Sequence, residues 1–207
     1  MFYEPSKGHP LPWDPFKAIV APRPIGWIST VDRDGRANLA PYSFFSIVQG
    51  KPPMVSFASE GLKDSVVNAR DTGEFVVNLV TANSVDAMNA SSKSLPRGES
   101  EFDYAKLEMA PSSLVKPPRV KASPASLECV VADFLVLRDR GGRPLDGFLI
   151  IGEVVGVHID RAFLEDGRFR TDKAEVVARC GYRDYANVTD MFTLMRPDDR
   201  DDSLPGL

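Results

Sequence analysis

Histidine and cysteine are scarce in this chain of 207 residues, which has two of each. Two cysteines cannot make a disulfide framework, and the two histidines add no convincing zinc site. They also leave little room for a hydrolytic triad, which needs a histidine as its shared base. We expect Cys129 in the core, because it alternates with apolar neighbours, and His158 on a strand as a hydrogen-bonded side chain rather than as a catalyst.

The chain also lacks long apolar runs and long segments with charges of a single sign. The most apolar run, Phe148 to Ile159, is too short to span a bilayer and contains Glu153. The first residues lack the basic start and apolar centre of a secretory signal, so we expect a cytoplasmic location. The net charge is −4 with interspersed signs. We therefore expect no nucleic-acid and no membrane partner.

Phosphate-binding glycine motifs are absent as well: no GxGxxG follows a predicted strand and no GxxxxGK[ST] occurs. With so few catalytic side chains, the composition favours a protein in which a cofactor does the chemistry. The protein would then supply orientation, a dry face and hydrogen bonds.

The apolar pattern predicts a mainly β domain with short helices. The predicted strands are Ile25–Val31, Ala37–Ala40, Met54–Ser59, Glu74–Val80, Leu127–Leu137 and Gly147–Ile159. The predicted helices are Leu62–Arg70 and Thr81–Ser92. Six strands are enough to close a small antiparallel barrel with the helices at its mouth.

The length favours one domain with additions. Four prolines in residues 1–20 forbid a continuous helix, so we expect an extended arm there. The barrel would occupy residues 21–185, with an irregular excursion at 91–126 that serves as a lid or a partner surface. Residues 186–207 would form a C-terminal tail.

The stretch from Ala21 to Ser46 predicts a β-hairpin followed by a ligand-binding loop. Ile25–Val31 alternates as a half-buried strand, and Gly35 lies in the turn that follows it. Pro41 should end the return strand, since proline cannot donate to a ladder. Tyr42 to Ser46 would then form a loop of hydroxyls and aromatic faces, which suits a planar ligand with polar edges. The alternative is that the aromatics plug a barrel end.

A second polar segment, Lys63-Asp64-Ser65, opens the helix predicted from Leu62. A helix start presents free N–H groups and a positive dipole end, so a lysine and a hydroxyl beside it make an anion site. The alternative is a solvated Lys63 with Asp64 as a cap.

These residues resemble the flavin reductase-like family of FMN-binding split barrels. In that family a Pro-Arg-Pro-Ile, Ser-Thr, Gly and Asn-x-Ala-Pro-x-Ser-Phe-Phe pattern forms part of the FMN site. Here the pattern stands as Pro22-Arg23-Pro24-Ile25, Ser29-Thr30, Gly35 and Asn38-Leu39-Ala40-Pro41-Tyr42-Ser43-Phe44-Phe45. The resemblance spans about Pro12 to Tyr185 and implies a six-stranded antiparallel split β-barrel of Greek-key type.

The resemblance implies that the protein binds FMN and indicates which residues contact it. Those implied in the first loop and its strands are Arg23, Ser29, Thr30, Asn38, Ala40, Pro41, Ser43, Phe44, Phe45 and Ser46. Those implied at the phosphate are Lys63, Asp64, Ser65 and Asn68. The segment Val177–Tyr182 resembles an Arg-x-Gly-Gly-x-x-Tyr motif and adds Arg179 and Tyr182, with Tyr185 as an equal candidate for the aromatic residue. Glu99, Glu101 and Phe102 resemble a Ser-Glu-Phe region near the flavin.

The implied function is an FMN-binding oxidoreductase, either a flavin reductase that takes hydride from NADH or NADPH or a flavoredoxin-like electron carrier. Its electrons would pass to a second flavin, an oxygenase partner or another acceptor. One alternative is a flavin-dependent oxygenase acting on a small organic substrate, with residues 91–126 as its lid. Another is a non-enzymatic module that carries FMN or haem. Some reductases of the family carry a histidine where this chain has Leu145-Asp146-Gly147.

The apolar pattern of the C-terminal tail predicts a homodimer with each FMN near the subunit boundary. Its apolar residues are Tyr185, Val188, Met191, Phe192, Leu194 and Met195. Such a strip commonly marks a partner surface, and two-fold pairing is the commonest way to bury it. Family members that resemble this chain are dimers of that kind. The alternative is a tail folded back over its own barrel.

Overall fold

The computed structural model describes residues 1–96, 98–195 and 197, and β-structure dominates these ranges. The strands are β1 (Arg23–Pro24), β2 (Gly26–Val31), β3 (Ala37–Tyr42), β4 (Phe45–Gln49), β5 (Met54–Glu60), β6 (Glu74–Leu79), β7 (Met109–Ala110), β8 (Arg119–Val120), β9 (Ala125–Arg138), β10 (Pro144–Ile159), β11 (Leu164–Glu165), β12 (Arg168–Phe169), β13 (Val176–Gly181) and β14 (Asp184–Val188). The α-helices are α1 (Phe16–Ile19), α2 (Asp64–Thr72), α3 (Val85–Ala90) and α4 (Glu101–Tyr104). Single 3-10 turns cover Pro5–Lys7, Ala82–Ser84 and Arg161–Phe163.

The main sheet has the strand order β3-β2-β6-β9-β10-β5-β4, and every pair in it is antiparallel. The long β9–β10 ladder shifts register between Ile151 and Gly152 and again between Val154 and Gly156. Bulges of this kind bend a strand and increase its twist, which helps the sheet to curl into a half-barrel. The predicted split-barrel class is confirmed, with seven strands in the described part of this sheet rather than six.

Aromatic rings fill the inside of the curl. The rings of Phe57 and Phe75 meet edge to face with their centroids 5.2 Å apart. A Cβ at Gly152 would lie 2.4 Å from the Phe75 ring, so glycine is required for this packing. Cys129 lies in the same cluster, as expected, and burial raises the pKa of its thiol. His158 contacts the Glu128 carboxylate, which agrees with the expected hydrogen-bonded strand histidine.

The prediction that Pro41 ends its strand is wrong. Strand β3 continues to Tyr42, with Pro41 opposite Trp27. Proline fits because β3 is an edge strand of the main sheet. The neighbouring outward amide, that of Leu39, donates to the Glu101 carboxylate rather than to β2. Alternate amides point to the same side of a strand, so the donor that Pro41 lacks would also have pointed outward.

The loop predicted from Tyr42 to Ser46 is also shorter than expected. Only Ser43 and Phe44 separate β3 from β4, because Phe45–Gln49 pairs with β5 as the other edge strand. The expected half-burial of β2 is wrong too, since all six of its residues are buried. One face of β2 contributes Ile28 to the cluster inside the curl, and the other contributes Trp27 to a second cluster beneath α3 and α4.

Helix α2 begins and ends two residues later than predicted, so Lys63 is its N-cap residue. The helix predicted over Thr81–Ser92 is shorter and begins with a 3-10 turn. The first 20 residues are not wholly extended, since they contain Pro5–Lys7 and α1. Residues 91–126 contain α4 and the β7–β8 pair.

At the C-terminal end, β14 pairs with β13 and crosses the boundary expected at residue 185. Part of the predicted tail, residue 196 and residues 198–207, lies outside the described residues. Within the ranges that the structure covers, no helix is both long and apolar enough to span a membrane.

Candidate functional site

A cleft of about 690 Å³ lies between β3, the start of α2, the end of α3 and the β13–β14 turn. Its volume is in the range of small-molecule sites. The predicted site residues that line it are Arg23, Asn38, Ala40, Pro41, Ser43, Phe44, Lys63, Asp64, Ser65, Arg179 and Tyr182. Residues that are distant in sequence therefore meet in one place, which we call the main cleft.

The start of α2 forms one wall of the main cleft. The first intrahelical bond runs from the Val66 amide to the Lys63 carbonyl at 2.9 Å, so the amides of Asp64 and Ser65 precede the helical ladder. The Ser65 hydroxyl accepts a hydrogen bond from Asn38 Nδ2 at 2.8 Å, which leaves its own proton free to donate. Among the described residues the Lys63 ammonium forms no ion pair within 4 Å. The wall therefore offers several donors to an anion.

The opposite wall is the β13–β14 turn. The Arg179 guanidinium lies 4.4 Å from the centre of the Tyr185 ring and donates to the Tyr182 carbonyl. Arg23 stands opposite Arg179 in the β1–β13 pair, and its guanidinium donates to two carbonyl groups of the N-terminal segment. Both guanidinium groups are thus held in place beside the cleft.

The phenol of Tyr42 lines the base of the main cleft and is only 6% exposed. Its hydroxyl has no hydrogen-bond partner among the described residues. Burial raises the pKa of Tyr42, and the hydroxyls of Ser65 and Ser59 offset this only in part because neither reaches hydrogen-bonding geometry. A buried and neutral donor without a partner costs free energy, so it favours a ligand with an acceptor at this point.

Glu101 is an acidic group on the same cleft. Burial raises the pKa of its carboxyl, and the hydrogen bond from the Leu39 amide at 3.0 Å opposes that rise. Its contact with β3 gives it a structural role at the edge of the sheet.

The structure does not bring five of the predicted site residues to the main cleft: Ser29, Thr30, Phe45, Ser46 and Asn68. Ser29 is fully buried and donates to the Pro118 carbonyl. Thr30 accepts a hydrogen bond from Asn68 Nδ2 at 3.1 Å. The Phe45 ring covers Gly26, where an added Cβ would lie 2.7 Å away, and Ser46 is exposed on β4.

Several cleft residues were missed by the sequence analysis. The run Ser91-Ser92-Lys93-Ser94 after α3 lines the main cleft, and so does Lys17 of α1, whose ammonium lies 5.3 Å from the centre of the Phe44 ring. The serine-rich run after an apolar helix could have indicated a binding site. The sequence around Lys17 has no such pattern, since α1 reaches the cleft only through tertiary packing against β13.

A second cleft of about 480 Å³ lies on the other side of the start of α2. It shares Asn38, Leu62 and Asp64 with the main cleft, so one wall separates the two. Across residues 1–96, 98–195 and 197, no group of three or more histidine, cysteine, aspartate or glutamate residues could hold a metal ion.

Known proteins resemble this chain in sequence and in fold. An uncharacterized protein from Halalkalibacterium halodurans is 36% identical over 183 residues, covering 86% of this chain and 87% of that protein. The crystal structure of nitrilotriacetate monooxygenase component B from Bacillus cereus is similar with a TM-score of 0.85 and 31% identity, covering 94% of this chain and 98% of that one. The 2-nitrobenzoate 2-nitroreductase of Pseudomonas fluorescens has a TM-score of 0.78 at 25% identity, covering 92% and 91%.

The sequence model of the flavin reductase like domain matches residues 20–172. The match includes β1 to β12 and the wall of the main cleft at the start of α2, and it ends before the β13–β14 turn that forms the opposite wall. It supports a flavin-related oxidoreductase. The chain belongs to the flavin reductase-like domain family.

Proposed function

We propose that this protein is an FMN-binding oxidoreductase that accepts hydride from NADH or NADPH. The observation that carries the proposal is the combination, in one cleft, of the donor-rich start of α2 with the unpaired hydroxyl of Tyr42. The start of α2 suits a phosphate, and the Tyr42 hydroxyl suits a carbonyl or nitrogen acceptor on the edge of a ring.

The residues present fit FMN. Five basic and three acidic side chains line the described part of the main cleft, which favours a ligand with a negative charge. Lys63, Ser65 and the first amides of α2 would hold the phosphate. Phe44 and the Arg179–Tyr185 pair supply flat surfaces for a ring.

In this proposal the side chains of the cleft bind and orient the reactants. FMN, when bound, would supply the chemistry of hydride acceptance and electron transfer. Tyr42 would donate to the ring edge, and its raised pKa keeps the phenol protonated around neutral pH. Asn38 would keep the Ser65 hydroxyl turned so that its proton meets an acceptor.

The electron acceptor proposed first is an oxygenase partner or a second flavin. Support comes from the similarity, at 31% identity, to component B of nitrilotriacetate monooxygenase, which is one part of a monooxygenase. A flavoredoxin-like carrier role would need the same cleft without hydride transfer. An oxygenase that acts on a small organic substrate, and a module that only carries FMN or haem, remain the alternatives.

Purification followed by anaerobic titration tests this proposal. We expect a yellow protein that releases FMN, and bleaching of the flavin absorbance when NADH or NADPH is added under nitrogen. A colourless protein that does not bind added FMN would reject the cofactor. Bound FMN that neither nucleotide reduces would leave the carrier role and reject the reductase.

We also propose a homodimer, because apolar residues of the described tail are exposed. Phe192 is 84% exposed and Leu194 is 80% exposed. Ile47 on the edge strand β4 is 75% exposed as well. Burial of such side chains against a second copy is favourable at about 25 cal/mol per Å². A cytoplasmic location, expected from the sequence, stays a prediction.

A further inference from the structure

Two arginines stand side by side on one wall of the main cleft. Arg23 on β1 and Arg179 on β13 are directly opposite each other in an antiparallel pair, and both line the cleft. Side chains at such positions point to the same face from Cβ atoms about 5 Å apart, and like charges placed there destabilise the sheet. Neither guanidinium forms an ion pair within 4 Å with any described residue. The repulsion between them is therefore not relieved by a described carboxylate.

Both guanidinium groups are nevertheless held in place. Arg23 donates through Nη1 to two carbonyl groups in and just after α1. Arg179 donates to the Tyr182 carbonyl and lies 4.4 Å from the centre of the Tyr185 ring. Carbonyl groups and a ring orient the two side chains without neutralising their charge. A fixed pair of guanidinium groups beside a cleft suits an anion that binds to both.

The Nε–H group of Arg23 points to a ligand independently of the charge. It is buried and has no hydrogen-bond partner among the described residues. Nε–H and Nη2–H form the edge of a guanidinium that can bind two anionic oxygens at once. Because Nη1 is used by α1, this edge is the one left for a ligand. A buried donor without a partner costs free energy, which an anion at this edge would offset.

A third cation lies on the same side of the cleft. Lys17 of α1 lines the cleft with its ammonium 5.3 Å from the centre of the Phe44 ring, and it pairs with the exposed Glu60 at 3.8 Å. Helix α1 packs directly on β13, since a Cβ at Gly181 would lie 2.6 Å from the backbone of Ala18. Among the described residues this wall therefore places three cations beside one exposed carboxylate.

We propose that Arg23 and Arg179 form an anion subsite that holds the pyrophosphate of the nicotinamide donor. The inference rests on the proposed function, which puts a flavin and a dinucleotide in one cleft. In that function the FMN phosphate lies at the start of α2, which packs on the main sheet, whereas β1 and β13 belong to a separate sheet of three strands. The arginine pair is thus left for the second anionic ligand. Two guanidinium groups match two phosphates, because each can bind one through two parallel hydrogen bonds.

Isothermal titration calorimetry of the FMN-loaded protein with inorganic pyrophosphate tests the subsite. We expect one pyrophosphate per chain, bound about 10-fold to 150-fold more weakly by Arg179→Gln, which removes charge-assisted hydrogen bonds. Arg179→Lys keeps the charge without the planar fork and should recover part of the affinity. The matched control is Arg183→Gln, an exposed arginine of the same turn that does not line the cleft. Unchanged affinity in Arg179→Gln would overturn the proposal.

Other ligands identify the source of the anion. We expect Arg179→Gln to change FMN and riboflavin binding by the same factor. A greater loss for FMN would assign the arginine pair to the flavin phosphate and overturn the proposal. Benzoate that binds where pyrophosphate does not, and is lost in Arg179→Gln, would assign the pair to a carboxylate substrate and also overturn it.

The donor itself gives a second measurement. Arg179→Gln should raise the KM for NADH about 10-fold and the KM for reduced nicotinamide mononucleotide by less, because the mononucleotide has one phosphate and no pyrophosphate. Equal increases for the two donors would overturn the proposal.

Two outcomes separate this inference from the proposed function. If the protein fails to bind FMN but binds pyrophosphate through Arg179, the anion subsite is supported and the flavin role fails. If FMN binds and NADH reduces it while pyrophosphate does not bind, the inference fails alone.

Discussion

The side-chain amide of Asn38 donates to the hydroxyl oxygen of Ser65 at 2.8 Å and so joins the edge strand β3 to the first turn of α2. Asn38 lies in the segment that resembles the family's first FMN motif, and Ser65 lies in the helix start implied for the phosphate. The hydrogen bond places these two motifs in one site. Because the Ser65 oxygen accepts it, the hydroxyl hydrogen of Ser65 remains free to donate to a ligand.

Lys63→Ala and Ser65→Ala should weaken FMN binding more than riboflavin binding, because only FMN carries the phosphate. A charge-assisted hydrogen bond contributes roughly 1.5 to 3 kcal/mol, so the Lys63 change should weaken FMN about 10-fold to 150-fold. Fluorescence quenching of each flavin gives the affinities. Lys51→Ala, an exposed lysine that lines neither cleft, serves as the control. Equal losses for the two flavins would show that the helix start does not bind the phosphate.

Tyr42→Phe separates ligand binding from stability. The hydroxyl has no partner in the described residues, so its removal should leave the melting temperature of the apo protein unchanged or raised. Flavin affinity should fall about 2-fold to 13-fold, the value of one neutral hydrogen bond. Calorimetric melting and flavin titration measure the two effects. A large loss of apo stability with unchanged flavin affinity would show that the hydroxyl serves the fold instead.

Glu128 should make stability depend on acid pH. Burial alone would raise the pKa of this carboxyl, but hydrogen bonds from His158 and from the amides of Ser113 and Leu114 outweigh burial and lower it. A carboxyl with a lowered pKa in the folded state stabilises the fold above its unfolded pKa and loses that contribution as pH falls through the folded value.

Glu128→Gln should therefore destabilise the fold by roughly 1.5 to 3 kcal/mol at pH 7, because the amides of Ser113 and Leu114 would donate to a neutral oxygen instead of a charged one. The difference from the unchanged protein should shrink as the pH falls below about 4.5. Urea unfolding at several pH values measures it, with the exposed Glu153→Gln as a control. A constant difference across this range would mean that the carboxylate charge is not what stabilises the fold.

The described apolar tail should hold the dimer together. A chain shortened to end at Thr189 keeps β14 intact and removes Phe192 and Leu194. Light scattering should show a dimer for the full chain and a monomer for the shortened one. Phe192→Ser with Leu194→Ser offers a milder change in the full chain. A full-length monomer would reject the dimer, and a shortened dimer would show that another surface, such as β4, forms the contact.

The local pattern was sufficient to predict most strands and the presence of α2, whose ends lie two residues later than predicted, because apolar periods and turn residues lie close together in the chain. It was wrong about the strand end at Pro41 and about the loop from Tyr42 to Ser46, since whether a strand lies at an edge depends on sheet order. The burial of β2 on both faces also depends on partners remote in sequence. The burial of Ser29 and Thr30 could not be predicted for the same reason. Ser29 hydrogen-bonds to the Pro118 carbonyl and Thr30 to the Asn68 side chain, and both partners are remote in sequence.

The second cleft could not be predicted for a similar reason. It forms where the turn at Asp32–Arg36, helix α2 and the segment from Gly98 to Met109 come together. No single stretch of sequence carries its acidic character. The resemblance to the family named Asp64, Asn68 and Glu99, which line the second cleft, but only as contacts of a single flavin site.

The edge strand β3 has a further consequence for assembly. Of its outward backbone positions, Leu39 has its N–H occupied by Glu101, and Pro41 has no N–H to give. An incoming strand needs such donors in order to extend a sheet. At these two positions the rim therefore offers no backbone donor for β-augmentation or for the strand pairing that leads to amyloid. The wall of the main cleft can thus stay open to small ligands without offering a template to another chain.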